Sequence, residues 1–294
     1  MKKNSIKPNF FIVGGSKCGT TNISYYMNQH SKIFFSELNE PYYFAKNDVP
    51  KKFKRISMIT DYNEYLELFK NANGCDFVGE ASSVYLACPN APKLIYETFP
   101  DSKILISIRN PIERAHSAYF SYIFNHFNKE SFSELIELHL KQIERGEFFI
   151  YNILNGGFFT EQIKRYRSIF PSENIKIIIF EEYIKNTTKG INEIFDFLKV
   201  DRIEKFNDVS KGSYRIPKNR MTSHLINNKK FRHFAQRIIP TVSRQKLGDR
   251  FFLKQTKKPE MSLEDREKLK NIYKNDVIEL ENYLQINLPW IDFK

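Results

Sequence analysis

The feature that most constrains this chain lies near its start. A strand-length apolar run, Phe10-Phe11-Ile12-Val13, opens directly into Gly14-Gly15-Ser16-Lys17-Cys18-Gly19-Thr20-Thr21 and then into a segment of helical period. That order builds an anion cradle. Glycines let the backbone turn tightly, the amides at a helix start point toward the ligand, and the helix dipole adds roughly half a positive charge there. Lys17 adds a full charge, and the hydroxyls of Thr20 and Thr21 are further donors to phosphate or sulfate oxygens. The spacing is not that of a Walker A loop, because the lysine precedes the last glycine, so ATP hydrolysis loses ground. Taken alone, the loop also fits an ordinary glycine-rich turn with an exposed lysine, and a second phosphate site is needed to choose.

Further along, strand-length apolar runs alternate with helical periodicity, as expected when helices cover a mostly parallel sheet. The expected fold is α/β, P-loop-like and three-layered, with a central, mostly parallel sheet flanked by helices. Residues 9–13, 75–78, 103–108 and 175–180 read as strands. The last two are nearly continuous apolar runs, as buried parallel strands tend to be. Helices are expected at 22–28, 92–99, 112–126, 133–145, 160–170 and 189–198. A last helix begins at Ser262, a plausible N-cap with Asp265 three positions on and Glu264 adding charge to the first turn. Its apolar positions Leu269, Ile272, Tyr273, Val277, Leu280 and Leu284 keep a helical spacing, so it should pack on the body of the domain.

A chain of 294 residues, 41% of them hydrophobic, can bury one large core, and no clean boundary divides it. The expectation is a single domain over 1–294, with a basic insertion at about 211–258 and a C-terminal packing helix at about 262–285. No stretch approaches the ~20 apolar residues that span a bilayer, and the start does not read as a secretion signal. Cys18, Cys75 and Cys88 form no closely spaced pair, which argues against a disulfide framework or a zinc site. A cytoplasmic protein is expected, and the Asn-, Lys- and Ile-rich composition points to a bacterial one. The net charge of +12 is concentrated: residues 211–258 carry fourteen Lys or Arg against one acid, a net of +13, which leaves −1 for the rest. Such a run is either a solvated basic face or a surface for a phosphate-, sulfate- or carboxylate-bearing partner, and its concentration favours the partner.

The second phosphate site follows the strongest strand, in Ile108-Arg109-Asn110-Pro111-Ile112-Glu113-Arg114-Ala115-His116-Ser117-Ala118-Tyr119. Pro111 suits the first turn of a helix, which places Arg109 at the strand's end and Ser117 about two turns along. An arginine fixed at a strand end can grip a terminal phosphate bidentately. Together the two segments resemble the PAPS-dependent sulfotransferases, which use 3′-phosphoadenosine 5′-phosphosulfate (PAPS). In that family Lys-x-Gly-Thr-Thr holds the 5′-phosphosulfate, and Arg-x-Pro-x-x-Arg-x-x-Ser-x-Tyr holds the 3′-phosphate. Asn39-Glu40-Pro41-Tyr42-Tyr43-Phe44 resembles the acidic residue and aromatic pair of the heparan-sulfate and carbohydrate type and its bacterial relatives. Gly79 to Leu86 is similar to the segment between the two phosphate sites, and Lys211-Gly212-Ser213-Tyr214-Arg215 to the late loop that closes over the nucleotide. Tyr283-Leu284 through Trp290 resembles the family's C-terminal ending.

The resemblance implies that the sulfuryl group of PAPS moves to a hydroxyl or amine of a carbohydrate or glycan acceptor. It assigns nucleotide binding to Lys17, Cys18, Gly19, Thr20, Thr21, Arg109, Ser117, Lys211, Gly212 and Arg215. Lys17 would also stabilise the departing nucleotide, and Glu40 would be the catalytic base. From charge alone Glu40 reads as a surface acid or a partner of Lys46; its place before the aromatic run reverses that, on the strength of the family. Glu37 is a second acid close by. His30 and His116 read as structural. The chemistry needs no metal, and no ligand cluster with metal spacing is visible. Where several sugar-modifying relatives have a lysine after the glutamate matching Glu80, this chain has Ala81 and then Ser82-Ser83, so acceptor recognition must differ there.

Within the basic stretch, Phe231, Phe234, Ala235, Ile238 and Ile239 fall on one helical face, with Lys229, Lys230, Arg232 and Arg237 elsewhere. Packing of that face on the domain is favoured, with the charged side guiding an anionic or lipid-linked glycan; peripheral contact with the inner face of a membrane is the other use of such a helix. The oligomeric state is open. A P-loop nucleotide-dependent kinase or hydrolase is the alternative enzyme, and it should have a Walker A spacing and an acidic magnesium ligand. A nucleic-acid partner would account for the charge but not for two phosphate motifs on separate strand ends.

Overall fold

The computed structural model describes residues 6–36, 38–49, 58–126, 130–147, 150–207, 215–218, 222, 253–256 and 258–294. The larger of two compact units takes in residues 1–207 and 262–294. It is an α/β fold around a five-stranded sheet: β1 (Phe10–Gly14), β2 (Ile33–Phe35), β3 (Phe77–Ala81), β4 (Lys103–Ile108) and β5 (Ile175–Ile179), in the order β2-β3-β1-β4-β5. Every pairing is parallel. The helices are α1 (Thr20–Met27), α2 (Tyr62–Glu67), α3 (Ala91–Thr98), α4 (Pro111–His126), α5 (Phe132–Glu144), α6 (Phe159–Arg167), α7 (Phe180–Lys185), α8 (Thr187–Leu198) and α9 (Leu263–Leu284).

β1 is the central strand, buried along its whole length, which is why it reads as an unbroken apolar run. Alternation sends its side chains to opposite faces of the sheet. Phe10 and Ile12 join Ile23 and Met27 of α1, Leu105 of β4, and Ile191, Ile194 and Phe195 of α8 in one apolar cluster. Each such side chain contributes about 1.5–3 kcal/mol on full burial. Phe11 faces the other way, edge-on to Phe44 and stacked on Phe99, and Phe44 in turn packs on Tyr65 and Tyr85. This aromatic packing anchors the segment that carries Glu40 beside the end of β1.

The chain leaves β1 toward β2 and β3 on one side and later crosses to β4 and β5 on the other, so the strand order reverses between β1 and β4. In open α/β sheets ligands bind outside the carboxyl ends of the strands at such a point. The loop with Lys17 follows β1, and Arg109 follows β4.

Some elements differ from the sequence expectations. β2 was not expected; at three residues it is too short to carry a periodic signal. β3 lies later than residues 75–78 because it includes Gly79 and Glu80, neither a usual strand residue. Gly79 is required there: a Cβ would come within 2.6 Å of the Phe35 ring of β2. Phe180 opens α7 rather than closing β5. α9 starts as expected, with the Ser262 hydroxyl accepting the Asp265 amide at 3.1 Å, and it buries Leu269, Tyr273, Val277 and Leu280. Gly157 admits Tyr273, whose hydroxyl donates to Leu154 O at 2.9 Å.

Residues 208–261 form the second compact unit. Its described part is an antiparallel ladder of β6 (Arg215–Pro217) with β7 (Leu253–Gln255), Ile216 opposite Lys254.

Candidate functional site

The loop after β1 is tied down through its backbone. Gly15 N–H donates to Ser107 O at 2.5 Å, the Ser107 hydroxyl donates to Cys18 O at 2.7 Å, and Arg109 Nη1 donates to Lys17 O at 3.3 Å. Gly19 is the N-cap of α1 at φ 83°, and no side chain caps the helix. The first amides of α1 are thus left to an outside acceptor, next to the positive end of the dipole. Thr20 and Thr21 stand in that first turn, Thr20 buried and Thr21 exposed. The Cys18 side chain is fully buried and its thiol is pushed up to about 12 by that burial, so Cys18 offers a ligand only its backbone.

Lys17 is half-buried. Burial lowers its ammonium below the usual lysine range; the nearby Glu40 carboxylate counteracts this, while Arg109 and Arg114 add to the lowering. A lysine in such a setting prefers an anion close by. Three of the non-glycine residues with left-handed backbone are Lys17 (φ 69°), Glu40 (φ 55°) and Tyr42 (φ 59°); the other two, Lys199 and Gln285, are C-caps of α8 and α9. Capping explains the latter pair. The first three are held out of their preferred conformation where the Lys17 ammonium feels the Glu40 carboxylate, a pattern that accompanies functional sites.

Glu40 sits at the turn into the aromatic segment, and two hydroxyls fix its carboxylate: Tyr42 donates to Oε2 and Ser83 to Oε1. Lys46, the alternative partner, instead donates to Thr60 O at 3.3 Å and lies over the Tyr43 ring. Arg109 stacks on Phe180 with its Cζ 4.7 Å from the ring centroid, and its Nε is buried without a hydrogen-bond partner. A guanidinium whose buried Nε donor is unused fits a site for an oxyanion. The Phe180 ring also covers Gly19, where a Cβ would approach it to 2.7 Å, so one aromatic residue joins the two motif segments.

The backbone before α4 is pinned from several sides. Asn110 N–H donates to Glu181 Oε1 at 3.0 Å, and Asn110 Nδ2 to Asp292 Oδ2 at 2.7 Å. Trp290 Nε1 donates to Glu181 Oε2 at 3.0 Å, and Arg266 Nη1 to Asp292 Oδ1 at 2.6 Å. Ser117 lies within α4, buried. Lys17, Glu40 and Arg109 are thus brought together at the carboxyl ends of β1 and β4. Lys211, Gly212, Glu37 and the apolar face of residues 231–239 lie outside the described residues, and of Arg215 only the backbone, in β6, is described. His30 has both ring nitrogens engaged, with Asp201 O at 3.0 Å and Lys32 N–H at 3.0 Å, and His116 packs on Phe120 and Phe132.

Sequence reasoning did not single out Ser83, Tyr42, Phe180, Glu181 or Glu80 for a role at the site. Glu80 is 1% exposed in β3, and its carboxyl is pushed up to about 7 by burial, although hydrogen bonds from Ser82, Tyr65 and Tyr85 oppose this. A charged residue inside a buried strand was the signal that could have found it. Among the described residues, no group of three or more His, Cys, Asp or Glu is arranged to hold a metal ion, and no helix is long and apolar enough to cross a membrane.

The chain is similar in structure to a sulfotransferase from Alicyclobacillus acidocaldarius, with a TM-score of 0.74 and 28% identity over 96% of this chain and 98% of that one. A sulfotransferase domain from the curacin biosynthetic pathway shares the fold at a TM-score of 0.50 and 15% identity, covering 97% of this chain and 100% of that one. In sequence it is 29% identical over 112 residues to the membrane-associated sulfotransferase kil1 of Dictyostelium discoideum, which is 38% of this chain and 22% of that protein. It is 23% identical over 245 residues to carbohydrate sulfotransferase 15 of Rattus norvegicus, 66% of this chain and 44% of that protein. The chain therefore spans less than half the length of these curated relatives. The Sulfotransferase domain family matches residues 7–282, and the chain belongs to that family.

Proposed function

We propose that this protein is a PAPS-dependent sulfotransferase acting on a carbohydrate or glycan. The observation that carries the reading is the convergence of a half-buried lysine, a hydroxyl-held carboxylate and an arginine with an unused buried donor at the carboxyl ends of two adjacent strands. The loop after β1 acts as a P-loop-like anion cradle, with the backbone of Cys18 and Gly19 and the hydroxyls of Thr20 and Thr21 around the 5′-phosphosulfate. Arg109 and Ser117 take the 3′-phosphate, and Lys211, Gly212 and Arg215 cover the nucleotide. PAPS supplies an activated sulfuryl group on a phosphate leaving group.

Glu40 accepts the proton of the acceptor hydroxyl or amine as its oxygen or nitrogen bonds to sulfur. Lys17 balances the charge on the 5′-phosphate oxygen that keeps the electron pair of the broken S–O bond. Tyr42 and Ser83 hold the carboxylate while it waits for the proton. No residue in this account needs a metal. The name of the carbohydrate sulfotransferase relative supports a glycan acceptor. Residues 211–258, with their net charge of +13, would draw an anionic or lipid-linked glycan toward the nucleotide within one functional domain over 1–294. The reading brings with it a bacterial, cytoplasmic location, with peripheral contact at the inner face of the membrane through the basic segment, and no nucleic-acid partner.

The test is ligand-induced stabilisation by 3′,5′-adenosine bisphosphate (PAP), compared with ATP plus magnesium and with duplex DNA. PAP alone should raise Tm; preference for ATP or DNA refutes the reading. Glu40→Gln should then lower kcat by about 10²–10⁴ while PAP affinity is kept.

A further inference from the structure

Glu80 stands one strand away from the loop of Lys17, opposite Phe11 of β1 in the register, and is buried. No ion pair is made to it among the described residues; hydroxyls surround it instead. Ser82 donates to Oε1, and Tyr65 of α2 donates to Oε2 at 2.5 Å. Ser82 does a second thing: its oxygen accepts the Tyr42 N–H at 3.2 Å. A hydroxyl has one proton and two lone pairs. With its proton committed to Glu80, Ser82 must present lone pairs to Tyr42, so the carboxylate dictates which way the hydroxyl serves the backbone. Tyr42 is one of the left-handed residues, and its own hydroxyl donates to Glu40. The next residue, Ser83, donates to the other Glu40 oxygen. Two buried serines in a row thus connect one carboxylate to the other.

The geometry points to Glu80 as a positioning residue for the base: it orients the Ser82 hydroxyl, and Ser82 holds the strained backbone from which Tyr42 and Glu40 meet. The assignment rests on the reading of Glu40 as the proton acceptor of sulfuryl transfer. The titratable groups facing Glu80 are Tyr65 of α2, Tyr85, Tyr166 of α6 and Glu40. A protonated Glu80 still offers Oε1 to the Ser82 hydroxyl, as a glutamine would, so the hold on Tyr42 requires an acceptor at this position and not its charge.

The experiment measures PAP release from PAPS with saturating N-desulfated heparin, which offers both amines and hydroxyls, and again with water as the sole acceptor. Ser82→Ala should lower kcat about ten- to a hundredfold, the scale of a small misplacement of a catalytic group, with KM for PAPS and PAP affinity unchanged. Glu80→Leu should lose the same factor, and the Ser82→Ala/Glu80→Leu double variant should be no slower than Ser82→Ala alone. Glu80→Gln keeps an acceptor for Ser82, so its kcat should stay within about threefold of wild type. Ser82→Ala with full kcat, or a Gln variant as slow as the Leu variant, overturns the assignment. An active wild type with unaffected variants refutes this inference alone, whereas a wild type that neither binds PAP nor consumes PAPS refutes the functional reading and the inference with it.

Discussion

Replacing Gly19 with alanine tests whether the two phosphate segments are joined as the structure has them. Gly19 lies at φ 83°, and an L-residue in the left-handed region costs about 1–2 kcal/mol. The added Cβ would also stand 2.7 and 2.8 Å from two atoms of the Phe180 ring, and an overpacked site of this kind typically costs about 1–3 kcal/mol. The sum is about 2–5 kcal/mol, which at roughly 2–4 °C per kcal/mol corresponds to a fall in Tm on the order of 10 °C. Relief requires the ring to move, and the same ring lies under the Arg109 guanidinium at 4.7 Å. PAP binding should therefore weaken along with stability. Thermal unfolding with and without PAP reads both effects. Adding Phe180→Leu to Gly19→Ala removes the collision but not the backbone strain, so about half of the lost stability should return, while PAP affinity stays low because Arg109 has lost its platform. A Gly19→Ala variant that melts with wild type and binds PAP as tightly would refute the reasoning.

Other outcomes follow from neighbouring contacts. Arg109→Lys keeps the charge but loses the planar fork and the stack on Phe180, so PAP affinity measured by calorimetry should fall about 10- to 100-fold; equal affinity would mean that Arg109 does not grip a phosphate. Asp292→Ala removes the acceptor of Asn110 Nδ2 and of Arg266 Nη1, which should cost about 1–3 kcal/mol in chemical unfolding and raise KM for PAPS several-fold at unchanged kcat. Glu80 titrates at about 7 when folded, above its ordinary 4.5, so between those values the folded state binds more protons than the unfolded one, and stability falls as pH rises through that window. The share of Glu80 is on the order of 3 kcal/mol. Unfolding of wild type against Glu80→Gln from pH 5 to 8 should show the variant gaining relative stability with pH; a constant difference would place the titration elsewhere.

Much of the site was legible because its chemistry is local in the chain. The loop of Lys17, Gly19, Thr20 and Thr21 is a strand, a turn and a helix start in immediate succession, and Arg109 with Pro111 repeats the logic after β4. Periodicity likewise exposed β4, β5 and α9, whose burial imposes a pattern many residues long. What the sequence by itself determined was an α/β domain with two anion-ready strand ends and an acid ahead of an aromatic run. Tertiary structure decided which strands are neighbours, and with it that Lys17, Glu40 and Arg109 come together beside the carboxyl ends of β1 and β4. It also decided what surrounds them: Phe180 under both motif segments, Asp292 and Trp290 arriving from the end of the chain, and Glu80 buried among hydroxyls from α2 and from Ser82 and Tyr85. Contacts between residues so far apart leave no period or spacing to read, because they depend on how whole elements pack rather than on what each segment prefers by itself.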